Sequence, residues 1–335
     1  MCNLHCFTNY YQTLQVMKNI IYLFLSILIF ASCSNKCKNI DTDEACAWNT
    51  RGKVEKSKDK IILTGKDARA ITTSAYKDFI LELECKTSEG AIGGISFHTD
   101  GLEQSIDGYE VLINNNEEPS EWRKTGSLST IRNFGKCVAY NDTWVPVKIE
   151  VRGHQIKVFV DDILITDYTQ PESPFRIPEY SKRILSSGVF VFSNYSDPSI
   201  EFRDIKVTPI YDVISDASAA IDEQNDDIIR LQQQNFPTID MHLHLKGGWT
   251  GEEAAANSRK YGITYGIAPN CGKNFPITTD EEIYHWLDSM KQQPFLMPMQ
   301  AEGREWLDMF SREAISRFDY VFTDAMTWTD HKGRL

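Results

Sequence analysis

The stretch TWVPVKIEVRGHQIKVFVDD, residues 143–162, alternates its side chains with a period of two. Val147, Ile149 and Val151 interleave with Lys148, Glu150 and Arg152, the pattern of a strand with one buried and one solvated face. RGHQ at 152–155 then reads as a hairpin turn, because Gly153 can take positive φ. Working outward, DKIILTG, DFILELECK, AIGGISFH, GYEVLI, GVFVFSN and SIEFRDIKVTP are further short strands rich in Val, Ile and Phe. Clusters of Gly, Asn, Asp and Ser separate them. Many short strands with almost no helix predict an antiparallel, all-β sandwich over residues 47–210.

Both ends of the chain have other textures. MKNIIYLFLSILIFASC, residues 17–33, has a charged start, a short apolar run and a small-residue end, the pattern of an export signal. The apolar run is short for a membrane span. Its FASC ending resembles the lipobox of bacterial lipoproteins, which implies lipidation at Cys33 and a lipid-anchored place in the cell envelope. Residues 1–16 then read as an upstream extension, and 34–46 as a polar tether in which Cys37 and Cys46 could pair. At 211–234, Ile214, Ile221 and Ile228 stand seven apart and predict a linker helix with a narrow apolar stripe.

From 235 onward, strand and helix patterns alternate: TIDMHLHL, TGEEAAANSRKYG, ITYGIAP, TTDEEIYHWLDSMKQ and PFLMPMQ. Alternation of this kind predicts an α/β domain with parallel strands. Residues two apart on a strand share a face, so Asp240, His242 and His244 point the same way at the strand's C-terminal end. Such imidazoles suit zinc, manganese or iron. Glu302 or Glu305 can add a ligand, with Asp324 and His331 as weaker candidates. This segment resembles metal-dependent barrels of the amidohydrolase and polymerase-and-histidinol-phosphatase-like kind. A whole barrel needs roughly 200–250 residues, so 235–335 is expected to be a partial barrel of about four βα units.

Lys plus Arg is 35 against 47 Asp plus Glu, a formal charge of −12, which argues against a nucleic-acid partner and suits a neutral sugar. The segments YKDFILELECK, GGISFHTDG, DGYEVLINNN, KTGSLSTIRN and IEFRDIKVTP, in that order, resemble the 3-keto-disaccharide hydrolase family, which has a concanavalin-like jelly roll. The resemblance implies hydrolysis of glycosides whose sugar carries a ketone at C3. The ketone acidifies the C2 hydrogen, so a base can remove it and expel the C1 oxygen before water adds back.

That chemistry asks for a general base and a polar group on the ketone oxygen. Glu110 is the expected base, and His98 and Arg132 are expected to orient or polarise the ketone. Asn115 and Asn194 are expected to bond sugar hydroxyls, and Trp122 or Trp144 to stack on a ring. Asn115 stands where the family commonly has Asp. The carboxylate spacing of retaining glucanases, about 5–5.5 Å between acids, has no counterpart motif here. The alternative is a non-catalytic carbohydrate-binding module attached to a metal-dependent hydrolase barrel.

Overall fold

The computed structural model describes residues 38–39, 48–102, 107–117, 121–323 and 332. Cys33, Cys37, Cys46, Asp324 and His331 lie outside the described residues. Eleven described strands form one antiparallel sheet that curls on itself into a jelly roll. They are β1 (Lys38–Asn39), β2 (Trp48–Lys56), β3 (Lys60–Thr72), β4 (Phe79–Thr87), β5 (Gly93–Thr99), β6 (Tyr109–Ile113), β7 (Val145–Arg152), β8 (Gln155–Val160), β9 (Ile163–Thr169), β10 (Val189–Asn194) and β11 (Ile200–Pro209). The order is β6-β5-β10-β3-β11-β4-β7-β8-β9, with β1 on β11 and β2 on β3.

Strand β3 makes the corner. Its first half pairs with β11 and its second half with β10. Between them Gly65 and Asp67 take φ of +84° and +63°, and the chain bends where β2 turns at Gly52. The hairpin at 152–155 forms as the sequence predicts, with Arg152 opposite Gln155 and Gly153 at φ +55°. A second two-residue turn joins β8 to β9 with Asp161 and Asp162 both at positive φ, the backbone of a type I′ turn built without glycine. Strict alternation along β4 sends Phe79, Leu81, Leu83 and Cys85 inward. Phe79 meets Phe190 edge-on at 4.7 Å and Phe97 at 5.5 Å. Each fully buried ring contributes on the order of 2 kcal/mol.

The linker departs from expectation. Only Asp227–Gln233 is α-helical, after a 3-10 turn at Glu223–Asn225. Asp216, Asp222 and Asp226 accept the backbone N–H groups of Ser218, Gln224 and Ile228, a local bonding that competes with helix. Ile214 is exposed, and Ile229 rather than Ile228 enters the core. The segment 211–234 is therefore mostly a strap laid on the sandwich. Glu223 is buried and holds Arg176 at 2.7 Å and the Tyr168 hydroxyl at 2.7 Å.

Beyond the strap lie parallel strands in sequential order: β12 (Ile239–Leu243), β13 (Thr264–Ile267), β14 (Asn270–Cys271), β15 (Pro298–Ala301) and β16 (Tyr320–Thr323). The helices Gly251–Tyr261 and Asp280–Met290 both open with capping boxes, Thr250 with Glu253 and Thr279 with Glu282. The described strands form two small sheets, without closure into a barrel. Among the described residues, no helix is long and apolar enough to cross a membrane.

Candidate functional site

Glu110 lies on β6 opposite Ser96 of β5, on the face of the sheet that also carries Ser193 and Arg69. Its neighbours Tyr109 and Val111 point into the core, so the period of two turns the carboxylate outward. The Tyr195 hydroxyl donates to Glu110 Oε1. The Tyr195 side chain is 41% exposed overall, but crowding around its hydroxyl, then the Glu110 charge, raise the phenol above its ordinary pKa, so it keeps its proton. A Cβ on Gly94 would stand 2.5 Å from Glu110 Oε1, so glycine at this place leaves the room that the carboxylate occupies. Arg123 lies within the field of Glu110. Its guanidinium is held by Glu121 through bonds of 2.8 and 2.7 Å.

Glu121 also lines a cavity of about 510 Å³ where β5 begins and β6 ends. Asn114, Asn116 and Asn141 build its floor by bonding one another and the nearby backbone. Glu89, Glu117 and Tyr140 stand at its wall, and Tyr140 is 66% exposed. The Glu121–Arg123 pair joins this cavity to the Glu110 face.

The other expected sandwich residues lie elsewhere or are already engaged. His98 is buried, with Nε2 against the Lys77 carbonyl at 2.7 Å and Nδ1 accepting from the Ser186 amide at 3.2 Å. Burial pushes it down to about pH 4, so it is a neutral structural imidazole and not a polarising group. Arg132 is buried against Tyr168 beneath the strap, away from Glu110. Asn194 spends its amide on the Leu63 and Pro198 carbonyls, and its oxygen accepts from Ser196. Asn115 lines the cavity, but its side chain bonds Thr87, Thr125 and the Tyr140 carbonyl. Trp122 donates to Asn235 and so fastens the sandwich to the chain beyond the strap. Trp144 carries Arg203 at 4.1 Å and Lys86 at 5.1 Å over its ring, and Arg203 also pairs with Glu84. Tyr195, Gly94 and Arg123 escaped the sequence reading. The glycine pair in GGISF was the visible signal, since small residues opposite an acid make space for it.

In the α/β part, His242 Nε2 and His244 Nε2 lie 3.0 Å apart. The Nδ1 of His244 meets the Ala268 carbonyl at 2.7 Å, which fixes a proton on Nδ1 and leaves Nε2 a lone pair. Gln300 Oε1 is 2.7 Å from His242 Nε2, and Gln300 Nε2 donates to Glu302 Oε1 at 2.8 Å. Glu302 is buried, and its Oε2 has no partner. Asp240 does not join the rings: the register shifts between Asp240 and Leu243, and its carboxylate accepts from the His242 amide. Glu305 turns back to the Arg304 amide. The imidazole pair suits a divalent metal, but its shell is incomplete. Among the described residues no three His, Cys, Asp or Glu side chains gather around one point.

Comparison with known proteins bears on the sandwich. A Parabacteroides distasonis protein named as a candidate glycosyl hydrolase is 18% identical, with a TM-score of 0.45, over 52% of this chain and 100% of its own. Another from the same organism is 13% identical, with a TM-score of 0.42, over 52% of this chain and 88% of its own. A carbohydrate-binding module of Bacillus subtilis is 17% identical, with a TM-score of 0.38, over 49% and 97%. No curated protein matches the chain. The sequence profile of the 3-keto-alpha-glucoside-1,2-lyase-like domain matches residues 39–208, half of the sequence, and the chain belongs to that family.

Proposed function

We propose that the sandwich cleaves glycosides of 3-keto sugars, with Glu110 as the base. The observation that carries this reading is the outward Glu110 carboxylate bonded to a phenol that keeps its proton, linked through Arg123 and Glu121 to a cavity of about 510 Å³. Membership of the lyase-like family supports the substrate class. Glu110 takes the C2 proton, and the C–H electron pair passes into the enolate of the ketone. The C1–O bond then breaks, and the leaving oxygen takes a proton from Tyr195. The Tyr195 phenol is restored from Glu110 across their shared hydrogen bond. Water adds at C1 and a proton returns to C2, so one water is consumed for each bond cleaved. Arg123, in the field of Glu110, supplies positive charge beside the developing enolate. The exposed Tyr140 ring offers a stacking face for the leaving sugar, and Glu89 and Glu117 accept from its hydroxyls.

The test is turnover of a 3-keto-glucoside by the purified chain and by Glu110→Gln. Loss of at least about 10²-fold with unchanged thermal unfolding supports the base assignment. Sugar binding without any turnover in the wild type would favour the carbohydrate-binding module instead.

A second reading concerns the α/β part, where the sequential parallel strands and the paired imidazoles favour descent from a metal-dependent barrel. His242 and His244 would hold a divalent ion there weakly, with Gln300 beside them, and no step of the sugar chemistry runs through it. The sequence of residues 17–33 supports a lipid anchor at Cys33 and a place in the cell envelope.

A further inference from the structure

Arg132 is 4% exposed, and its Nε has no hydrogen-bond partner. One guanidinium nitrogen reaches the Ile131 carbonyl at 2.8 Å, and the group lies 5.2 Å from the Tyr168 ring centre. Among the described residues no carboxylate forms an ion pair with it. Glu223 is paired with Arg176, and Asp226 caps the helix at Ile228 through Oδ1 while its Oδ2 has no partner; both carboxylates act on Arg132 without touching it. A buried guanidinium with no carboxylate in contact is costly. Burial does press the Arg132 guanidinium below its ordinary range, although an arginine keeps its proton.

Arg132 lines a cavity of about 200 Å³ between the sandwich, the strap and the helix Gly251–Tyr261. Arg259 and Lys260 line it too, with Gln155, Asp167 and Tyr168 on the sandwich wall. Asp167 is the single acid lining it; it accepts from Gln155 at 2.7 Å, lies 3.9 Å from Lys157 Nζ, and offsets part of the Arg259 charge. Arg259 and Lys260 sit in a helix's last turn, where cations are ordinary. Arg132 has no such explanation, since it comes from the sandwich and is buried.

We infer that this cavity is an anion site, built for an oxyanion of the phosphate class. A guanidinium presents a fork of N–H donors that matches phosphate oxygens, and two further cations suit a double charge. The ligand would bond three parts of the chain at once and fasten the α/β part to the sandwich. It is separate from the Glu110 face and independent of the chemistry proposed there. Free phosphate and the phosphate group of a sugar ester share this chemistry.

The test uses the whole chain. Thermal unfolding is followed in sodium phosphate and in sodium chloride at equal ionic strength, and phosphate affinity is measured by calorimetry. Phosphate is expected to raise Tm by at least about 2 °C over chloride. Arg259→Gln and Lys260→Gln alter half-exposed and exposed side chains, and each is expected to weaken phosphate at least about tenfold. Arg132→Met is expected to abolish binding, and should it fail to fold, Arg259→Gln decides. Glucose 6-phosphate in place of phosphate separates the two sources: tighter binding names the ester, weaker binding the free ion. Identical unfolding in phosphate and chloride, or unchanged affinity in Arg259→Gln, would overturn the site.

Discussion

The Tyr195 hydroxyl donates to the Glu110 carboxylate across the open face of the sandwich. The pair couples a base that can leave the bond to a phenol that the neighbouring carboxylate helps keep protonated. Tyr195→Phe is therefore expected to lower turnover of a 3-keto-glucoside by at least about tenfold while leaving Glu110 in place. The loss should be greatest for substrates with poor leaving groups, because those depend on a proton donor. Equal activity of Tyr195→Phe on good and poor leaving groups would assign the donor elsewhere.

His98 gives a pH dependence of stability, not of catalysis. Burial holds it at about 4 in the fold, below the roughly 6.5 of an exposed imidazole. Above pH 6.5 both states are neutral and stability is complete. As pH falls toward 4 the unfolded chain takes the proton first, so stability is lost through that window, on the order of 3 kcal/mol in all. Tm measured from pH 7 to pH 5 should fall more steeply in the wild type than in His98→Gln. Equal slopes would show that the ring titrates normally.

Much of the sandwich was legible because its signals are local. The hairpin at 152–155 and the alternation along β4 follow from side-chain period and from Gly153. Strand β2 was missed because its residues are nearly all exposed, so no apolar period marks it. The linker was misread because the spacing of Ile214, Ile221 and Ile228 outweighed the aspartates that bond their own backbone. Of the expected sandwich site, Glu110 stands on the open face and Asn115 lines the cavity. Arg132, His98 and Asn194 have polar side chains that the fold uses internally, and sequence does not tell a polar group turned inward from one turned outward.

The strap belongs to the fold of the sandwich. Arg176 and Glu223 form a pair buried on both sides, joined by Tyr109 and Tyr168. Glu223→Gln leaves the Arg176 charge without its partner and should cost about 3–5 kcal/mol. A fragment ending at residue 210 should show the same weakness, and one ending at 238 should recover. Urea unfolding of the fragments checks this, and equal midpoints would place the domain boundary at 210.

Two imidazoles and an amide fall short of a zinc shell, which draws on at least about three good protein ligands. After dialysis the chain should retain well below one divalent metal per molecule, and His242→Ala should remove what remains. Elemental analysis giving one tightly held metal would show that further ligands complete the site.

The signal-like segment makes its own prediction. Radiolabelled palmitate should enter the protein in a bacterial host, and Cys33→Ala should abolish the label. Persistent labelling of that variant would remove the anchor from the account.

In the proposed mechanism Glu110 removes the hydrogen at C2 of a 3-keto sugar. The most direct measure of that step is proton NMR of a 3-keto-glucoside turned over in deuterium oxide. Released 3-keto-glucose is expected to carry deuterium at C2 in the wild type, faster than the enzyme-free exchange, and to form at least about 10²-fold more slowly in Glu110→Gln. Cleavage that leaves the original hydrogen at C2, or exchange at full rate in Glu110→Gln, would contradict it.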